Sequence, residues 1–367
     1  MKRFLSAMLV VILAFACAAC TSDSDKDTDS DDVLNVGFIY TGYVNDEGYT
    51  QAHHSGTKAV EDYFDGKVNA LIYEGVDDSN KQTVRDAADS LIDQGAKVIV
   101  GDGSGFGETL YEMATSGNYD DTIFLHFSGK LLAANMGNYF GAMEEPRYLT
   151  GIIAGMQTKT NKLGYVAAFP QTEVLIGVNA FMLGARSVNP DVEVQVIYIN
   201  SWYDPAKEQQ AAEALLDQGC DIITQHCFTS EPQIAAESVG ALAIGYNLDN
   251  PGAAPDAWLT APIWHHERFL IPTIEKIIAG TWVPESYYGR LRDGYVDLAP
   301  LSELVTPEAN EAVEEARKGI LSGEINVFTG PLIDNAVNKV VSDDVVLDRE
   351  SIWLIYFLLE GISSTEI

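Results

Sequence analysis

Positive charge is scarce in this chain, and cysteine scarcer still. Its 367 residues carry 22 Lys and Arg against 54 Asp and Glu, a formal net charge of -32. A surface of that sign repels phosphate backbones and anionic headgroups, so nucleic acid is excluded as a partner. Cysteine occurs four times, and Cys17 and Cys20 sit together at the end of an N-terminal apolar run. The other two, Cys220 and Cys227, bracket Asp221-Ile222-Ile223-Thr224-Gln225-His226, which reads as a strand. Across an extended segment of that length their Cα atoms stand about 23 Å apart, far beyond disulfide reach. Both are expected to be free thiols. Long apolar runs are missing too: Phe4 to Ala16 and Ile352 to Leu359 are each too short to cross a bilayer comfortably.

Catalytic and cofactor motifs are equally absent. Gly101-Asp102-Gly103-Ser104-Gly105-Phe106-Gly107 suggests a dinucleotide loop, but it follows the third strand, and Phe106 or Glu108 occupies the place of the last glycine. No Lys-Ser/Thr follows it, as a phosphate-binding P-loop requires. Asp102 stands where a nucleophile elbow around Ser104 needs glycine. His53 and His54 are adjacent on a helix and point about 100° apart, so they cannot serve one metal from it. His265-His266-Glu267 lacks the second histidine of a zinc helix. All four histidines are expected to be solvated or capping. No catalytic residue, metal site or cofactor is expected.

What the chain does contain is an address and a rhythm. Lys2-Arg3, the apolar run and Ala18-Ala19-Cys20 resemble a bacterial lipoprotein signal, in which Cys20 is lipidated. Residues 21–32, TSDSDKDTDSDD, form a self-repelling acidic tether. Their alternating Asp do not make a calcium loop, because Thr28 replaces the turn glycine and Leu34 the bidentate Glu. From residue 33 short apolar runs alternate with helical stripes. Asn35–Tyr40 predicts a buried strand, and a polar loop leads to a helix near Gly48 whose free N–H groups face the sheet edge. Strands and helices continue to Phe127, and the pattern restarts at Leu163 and runs to Tyr246. Two successive βα series predict two doubly wound α/β lobes.

Aromatic and amide residues recur at strand ends. Tyr43, Asn45 and Tyr49 follow the first strand, Phe106 the third, and Trp202 the strand ending at Asn200-Ser201. Phe228 follows Gln225-His226, Asn247 and Asp249 follow Ile244-Gly245-Tyr246, and Trp264 follows Thr260-Ala261-Pro262. Such positions in both lobes line a shared cleft, where flat faces and amides suit a planar heterocycle. These nine are the candidate ligand-binding residues, with Asp249 the candidate acceptor for a ribose hydroxyl or ring nitrogen. A pyranose face would also stack on such rings.

Several segments resemble the basic membrane protein (Bmp) family: FIYTGYVNDEGYTQAHHSG, HFSGKLLAANMGNYFGAMEEPRYLTGIIAGMQT, KLGYVAAFPQTEVLIGVNAFMLGARSVNP, NSWYDPAKEQQAAEALLDQGCDIITQH, IGYNLDN, LTAPIW and GRLRDGYVDLAP, together covering about residues 35–335. Members are solute-binding lipoproteins of ABC importers, several of them receptors for purine nucleosides or bases. The resemblance implies a type I periplasmic binding protein, with two Rossmann-like doubly wound lobes joined by a three-crossover hinge. It also implies a purine nucleoside or base as ligand, an ABC permease as partner, attachment to the cell membrane through a lipid anchor on its extracytoplasmic side, and a monomer. Expected boundaries are 1–20 signal, 21–32 tether, 33–144 plus about 251–283 for the N-terminal lobe, and 145–250 plus about 284–367 for the C-terminal lobe. Departures fall near the inferred pocket: Tyr49 stands where Trp is frequent, Cys227-Phe228-Thr229 where a more polar stretch is usual, and Asn247 where Asp is frequent. A receptor for a sugar or other small polar metabolite, a surface sensor without transport, and an enzyme remain as alternatives.

Overall fold

The computed structural model describes residues 33–367. Cys17, Cys20 and the acidic tether lie outside them. The first lobe opens with β1 (Leu34–Ile39), α1 (Tyr49–Phe64), β2 (Val68–Tyr73), α2 (Lys81–Asp93), β3 (Val98–Gly101), α3 (Gly107–Thr115), β4 (Ile123–Phe127) and β5 (Met136–Gly141). The chain then enters the second lobe with α4 (Glu144–Gln157), β6 (Lys162–Ala167), α5 (Thr172–Val188), β7 (Glu193–Tyr198), α6 (Pro205–Asp217), β8 (Ile222–His226), α7 (Glu231–Ser238), β9 (Leu242–Ile244) and β10 (Trp258–Thr260). The remainder is β11 (Pro262–Trp264), α8 (Glu267–Ile278), β12 (Ser286–Gly289), β13 (Val296–Leu298), α9 (Pro307–Ser322), β14 (Leu332–Ile333), β15 (Lys339–Val341), α10 (Arg349–Ile352) and β16 (Ile362–Glu366).

Two six-stranded sheets result, ordered β12-β5-β4-β3-β1-β2 and β10-β9-β8-β6-β7-β16. Every pairing within them is parallel. Strands covered by helices on both faces are buried along their whole length, as β3 (Val98-Ile99-Val100-Gly101) is with apolar residues alone, while β8 is equally buried but turns polar at Thr224-Gln225-His226 towards its carboxyl end. Each sheet reverses its order beside its first strand, where the carboxyl ends of strands open a crevice. This is the type I periplasmic binding protein architecture.

The chain passes between the sheets three times: after β5, after β10 and after β12. Two of these points differ from the expected boundaries. β10 still pairs with β9 of the second sheet, whereas the expected boundaries put about 251–283 in the N-terminal lobe. β12 pairs with β5 of the first sheet, whereas they put about 284–367 in the C-terminal lobe. The antiparallel ribbon of β11 with β13 ties two of the crossings together. At the third, the buried Glu145 carboxylate accepts from Arg290 Nε and the Leu291 amide, each at 2.8 Å. The tail 352–359 packs inward through Ile352, Ile355, Leu358 and Leu359. It then delivers β16 to the edge of the second sheet, a strand that its polar sequence Ser363-Ser364-Thr365-Glu366 concealed.

Two local expectations are corrected. The N-terminus of α1 does not turn a set of free N–H groups to the sheet edge, because the Asp46 carboxylate accepts from the amides of Gly48, Thr50 and Gln51. His53 and His266 are buried rather than solvated, their rings stacked 3.8 Å apart where α1 meets α8. Burial pushes the pKa of His53 down to about 3 and that of His266 well below the usual range, so both are neutral. Cys220 and Cys227 are free and buried, as the strand between them requires. Burial pushes the Cys220 thiol up to about 12 and the Cys227 thiol well above its ordinary value.

Candidate functional site

A cavity of about 340 Å³ lies between the two sheets, walled by residues just beyond their strands. Thr41 follows β1, Asp77 and Asp78 follow β2, Ser104 follows β3, and Ser128 follows β4. From the second lobe, Phe169 follows β6, Asn200 to Tyr203 follow β7, Cys227 and Phe228 follow β8, and Tyr246 follows β9. Topology alone brings these together: parallel strands send their carboxyl ends one way, and the two sheets face each other at that edge.

The walls are largely flat rings. Tyr49 and Phe228 stack across the cleft, their centroids 4.3 Å apart and their planes 10° apart. Trp202 lies behind Phe228 at 6.0 Å and meets Phe169 edge-on. Phe127, Phe140 and Trp264 form the hinge side, with Phe127 and Trp264 perpendicular at 5.2 Å. The Tyr49 hydroxyl is engaged, donating to the Asp102 carbonyl at 2.6 Å. That holds the ring upright for its contact with Phe228.

Charge in the cavity has one sign. Asp77, Asp78 and Glu173 are lining residues, whereas Lys and Arg are absent from the lining among the described residues. His226 contributes no charge, because burial and the neighbouring Arg147 hold its pKa well below the usual range. Glu173 is pushed above the ordinary carboxylate range by burial, an effect opposed by the hydrogen bond from Ser128. Asp77 is held below that range by hydrogen bonds from the Ser79 hydroxyl and amide. An anionic ligand would meet repulsion here. A neutral molecule with donors would find acceptors.

Of the nine residues singled out from sequence, Tyr49, Trp202, Phe228 and Trp264 line the cavity. Asn247 stands one layer behind, fully buried: its Oδ1 accepts from Trp264 Nε1 at 3.0 Å and its Nδ2 donates to the Cys227 carbonyl at 3.3 Å. It orients Trp264 rather than reaching the cavity. Phe106 is turned entirely into the first lobe's core, packed under Gly101 and Gly103. Tyr43, Asn45 and Asp249 are exposed and outside the lining. Sequence reasoning missed Asp77, Asp78, Ser128, Phe169, Glu173 and Tyr246. The same strand-end rule would have found them had it been applied to polar residues and to every strand.

The lobes are closed on one another. Beyond the Tyr49–Phe228 stack, Ser128 Oγ of the first lobe donates to Glu173 Oε2 of the second at 2.9 Å. Ser230 Oγ donates to the Glu47 carbonyl at 3.3 Å. Gly48 touches the backbone of Phe228, and a Cβ added there would overlap the Phe228 carbonyl oxygen.

With this geometry in hand, comparisons with known proteins are decisive. Residues 33–329 match the Bmp family, described as ABC transporter substrate-binding protein PnrA-like. The chain belongs to that family. A purine-binding protein of Brucella abortus is 35% identical over 303 residues, covering 83% of this chain and 85% of that protein. A Haloferax volcanii ABC transporter protein named as glucose-binding is 33% identical over 314 residues, covering 86% of this chain and 79% of that one. A solved solute-binding protein of an ABC transporter system from Conexibacter woesei superposes with a TM-score of 0.66 at 22% identity, over 80% of this chain and 98% of that one. This Bmp-family protein is therefore a solute-binding component of an ABC transporter and not an enzyme.

Closure in this receptor should depend on the missing side chain at residue 48. Gly48→Ala adds a methyl at this contact, and a cooperative melt would show that the variant is folded. Its methyl would keep the lobes apart at Phe228. In small-angle scattering with ligand present, Gly48→Ala should stay more extended than the parent, and its affinity should fall about tenfold or more, about 1.4 kcal/mol. Equal compaction and affinity would show that the 48–228 approach is not part of closure.

Proposed function

We propose that this protein captures an uncharged purine, as nucleoside or free base, between its lobes and presents the closed form to an ABC permease. The observation that carries the reading is a cavity walled by stacked aromatic rings and carboxylates, with no cationic side chain in its lining among the described residues. A purine offers two flat faces to Tyr49, Phe228, Trp202 and Trp264, and its ring N–H, amino and ribose hydroxyl donors suit Asp77, Asp78 and Glu173. The purine-binding name of the Brucella relative supports it. Binding would work by population shift: contacts available only in the closed form favour that form.

Thermal melts test the ligand. A compound that binds only the folded state stabilises it by about 2.7 kcal/mol at a hundredfold excess over Kd, which raises the Tm of a chain this size by several degrees. Adenine, adenosine, guanosine or inosine should produce that shift, and ribose or glucose should not. Trp202→Ala should weaken purine binding about tenfold while the protein stays folded, since a stacked ring contributes about 1 kcal/mol beyond its area. A melt raised by glucose and by no purine would select the second reading, a sugar receptor. The glucose-binding name of the Haloferax relative favours that reading, as do carboxylates able to accept from sugar hydroxyls.

For the rest of the chain we infer a lipid anchor at Cys20, with residues 21–32 spacing a monomeric receptor from the extracytoplasmic face of the membrane. Ala18-Ala19-Cys20 after an apolar run supports this. Cys20→Ala should appear in the soluble fraction of fractionated cells. A Cys20→Ala protein that remains membrane-bound with its signal removed would contradict the anchor.

A further inference from the structure

The segment from α10 to β16 lies beyond residues 33–329, which match the family, so family membership says nothing of its role. It begins with a single helical turn. Asp348 caps α10 by accepting from the Ser351 amide at 2.9 Å. Arg349 and Trp353 stand four apart, joined by a hydrogen bond from the Trp353 amide to the Arg349 carbonyl, and so share one face of that turn. That face meets the first lobe. The Arg349 guanidinium lies 4.7 Å from the centre of the Tyr288 ring, and its Nη1 donates to the Ser286 carbonyl at 3.3 Å. Trp353 meets Phe140 with centroids 5.1 Å and planes 63° apart, and Lys130 Nζ lies 5.0 Å from the centre of the Trp353 ring. Phe140 and Tyr288 are register partners on β5 and β12, each one residue before the strand end that leads into a crossing.

The far end of the segment is held by the second lobe. Asn179, fully buried on α5, grips it with both ends of its amide: Nδ2 donates to the Phe357 carbonyl at 2.8 Å, and Oδ1 accepts from the Leu359 amide at 2.9 Å. The Leu358 carbonyl accepts from the Asn335 amide at 2.8 Å, and residues 362–366 pair along β7. Between the two attachments Leu354 and Tyr356 are exposed and Ile355 is buried. The stretch therefore runs from one lobe to the other. Its contact on the first lobe also reaches the ligand cavity. Phe140 lines that cavity, with its ring 5.0 Å from Phe127 and 5.3 Å from Trp264.

We propose that residues 349–359 form a clasp between the lobes, in which Arg349 and Trp353 hold the edge of the first sheet near its closed position and Trp353 positions Phe140 in the cavity wall. Opening carries Tyr288 and Phe140 away from a segment that Asn179 and β7 keep on the second lobe. The two contacts must then break. Each sets an aromatic ring against a cation or a second ring, an attraction that needs close approach. Three crossings alone supply a hinge; the clasp limits how far it swings and slows ligand escape. It rests on the lobes closing over a ligand, and it stands whether that ligand is a purine or a sugar.

Scattering and dissociation measurements test it. In small-angle scattering of protein dialysed free of ligand, Trp353→Ala and Arg349→Ala should each show a larger radius of gyration than the parent. Each should also release ligand about tenfold faster, the effect of losing one such ring contact. The probe is adenosine, or glucose if glucose is the compound that raises the melt. Trp353→Phe keeps a ring against Phe140 and should retain the parent radius. Leu354→Ala, at an exposed neighbour, should match the parent in both readouts. A role confined to stabilising the fold would lower the Tm and move neither. Trp353→Ala and Arg349→Ala proteins as compact as the parent, or holding ligand as long, would overturn the clasp, as would equal effects from Leu354→Ala. Should Trp353→Ala fail to fold, Arg349→Ala decides by the same readouts. If neither adenosine nor glucose raises the melt, the ligand reading fails alone and the unliganded radius decides the clasp.

Discussion

The approach of Gly48 to the backbone of Phe228 is the constraint on which the closed molecule depends. There the first turn of α1 in one lobe meets the loop after β8 in the other, with Tyr49 stacked on Phe228 beside it. Each side is prepared independently. Asp46 caps α1 and fixes where Tyr49 stands, while the Tyr49 hydroxyl is tied to the loop after β3. On the other side, the Phe228 amide donates to the Trp202 carbonyl at 3.1 Å, joining the loops after β8 and β7. Two rigid edges carrying flat rings thus meet at a hinge made of three chain crossings. The cavity between them is walled by residues of both.

Electrostatics separates what the cavity admits from what the lobe beneath it contains. The cavity surface holds Asp77, Asp78 and Glu173 with no basic side chain among the described residues. One layer below, the buried Arg147 is shielded from them by Tyr246 and His226. Burial of a negative group is costly in the first environment and favourable in the second.

Much of this was legible in the sequence, because buried parallel strands leave continuous apolar runs and their ends are marked by Gly, Asn and Asp. The two βα series, the free thiols and four of the cavity's rings followed from that signal. The errors have local causes. Phe106 sits at a strand end like the others, but the glycines around it let the short helical turn fold its ring inward. Tyr43, Asn45 and Asp249 lie in loops that project past the cleft, a matter of loop path that residue type does not encode. Asn247 points away from the ligand because the ring nitrogen of Trp264 claims its oxygen. β16 escaped notice since an edge strand that is polar and exposed at every residue after Ile362 has no apolar run to show. His53 and His266 escaped because α1 and α8 meet only in three dimensions.

The central claim is that the cleft selects a flat, uncharged molecule and excludes its charged relatives. Isothermal titration of the purified protein with adenosine and with adenosine 5′-monophosphate tests this most directly, since the two share base and ribose and differ by one phosphate. Adenosine should bind and the monophosphate should bind about a hundredfold more weakly, a difference of about 2.8 kcal/mol. A monophosphate that binds as tightly as adenosine, or more tightly, would contradict the account.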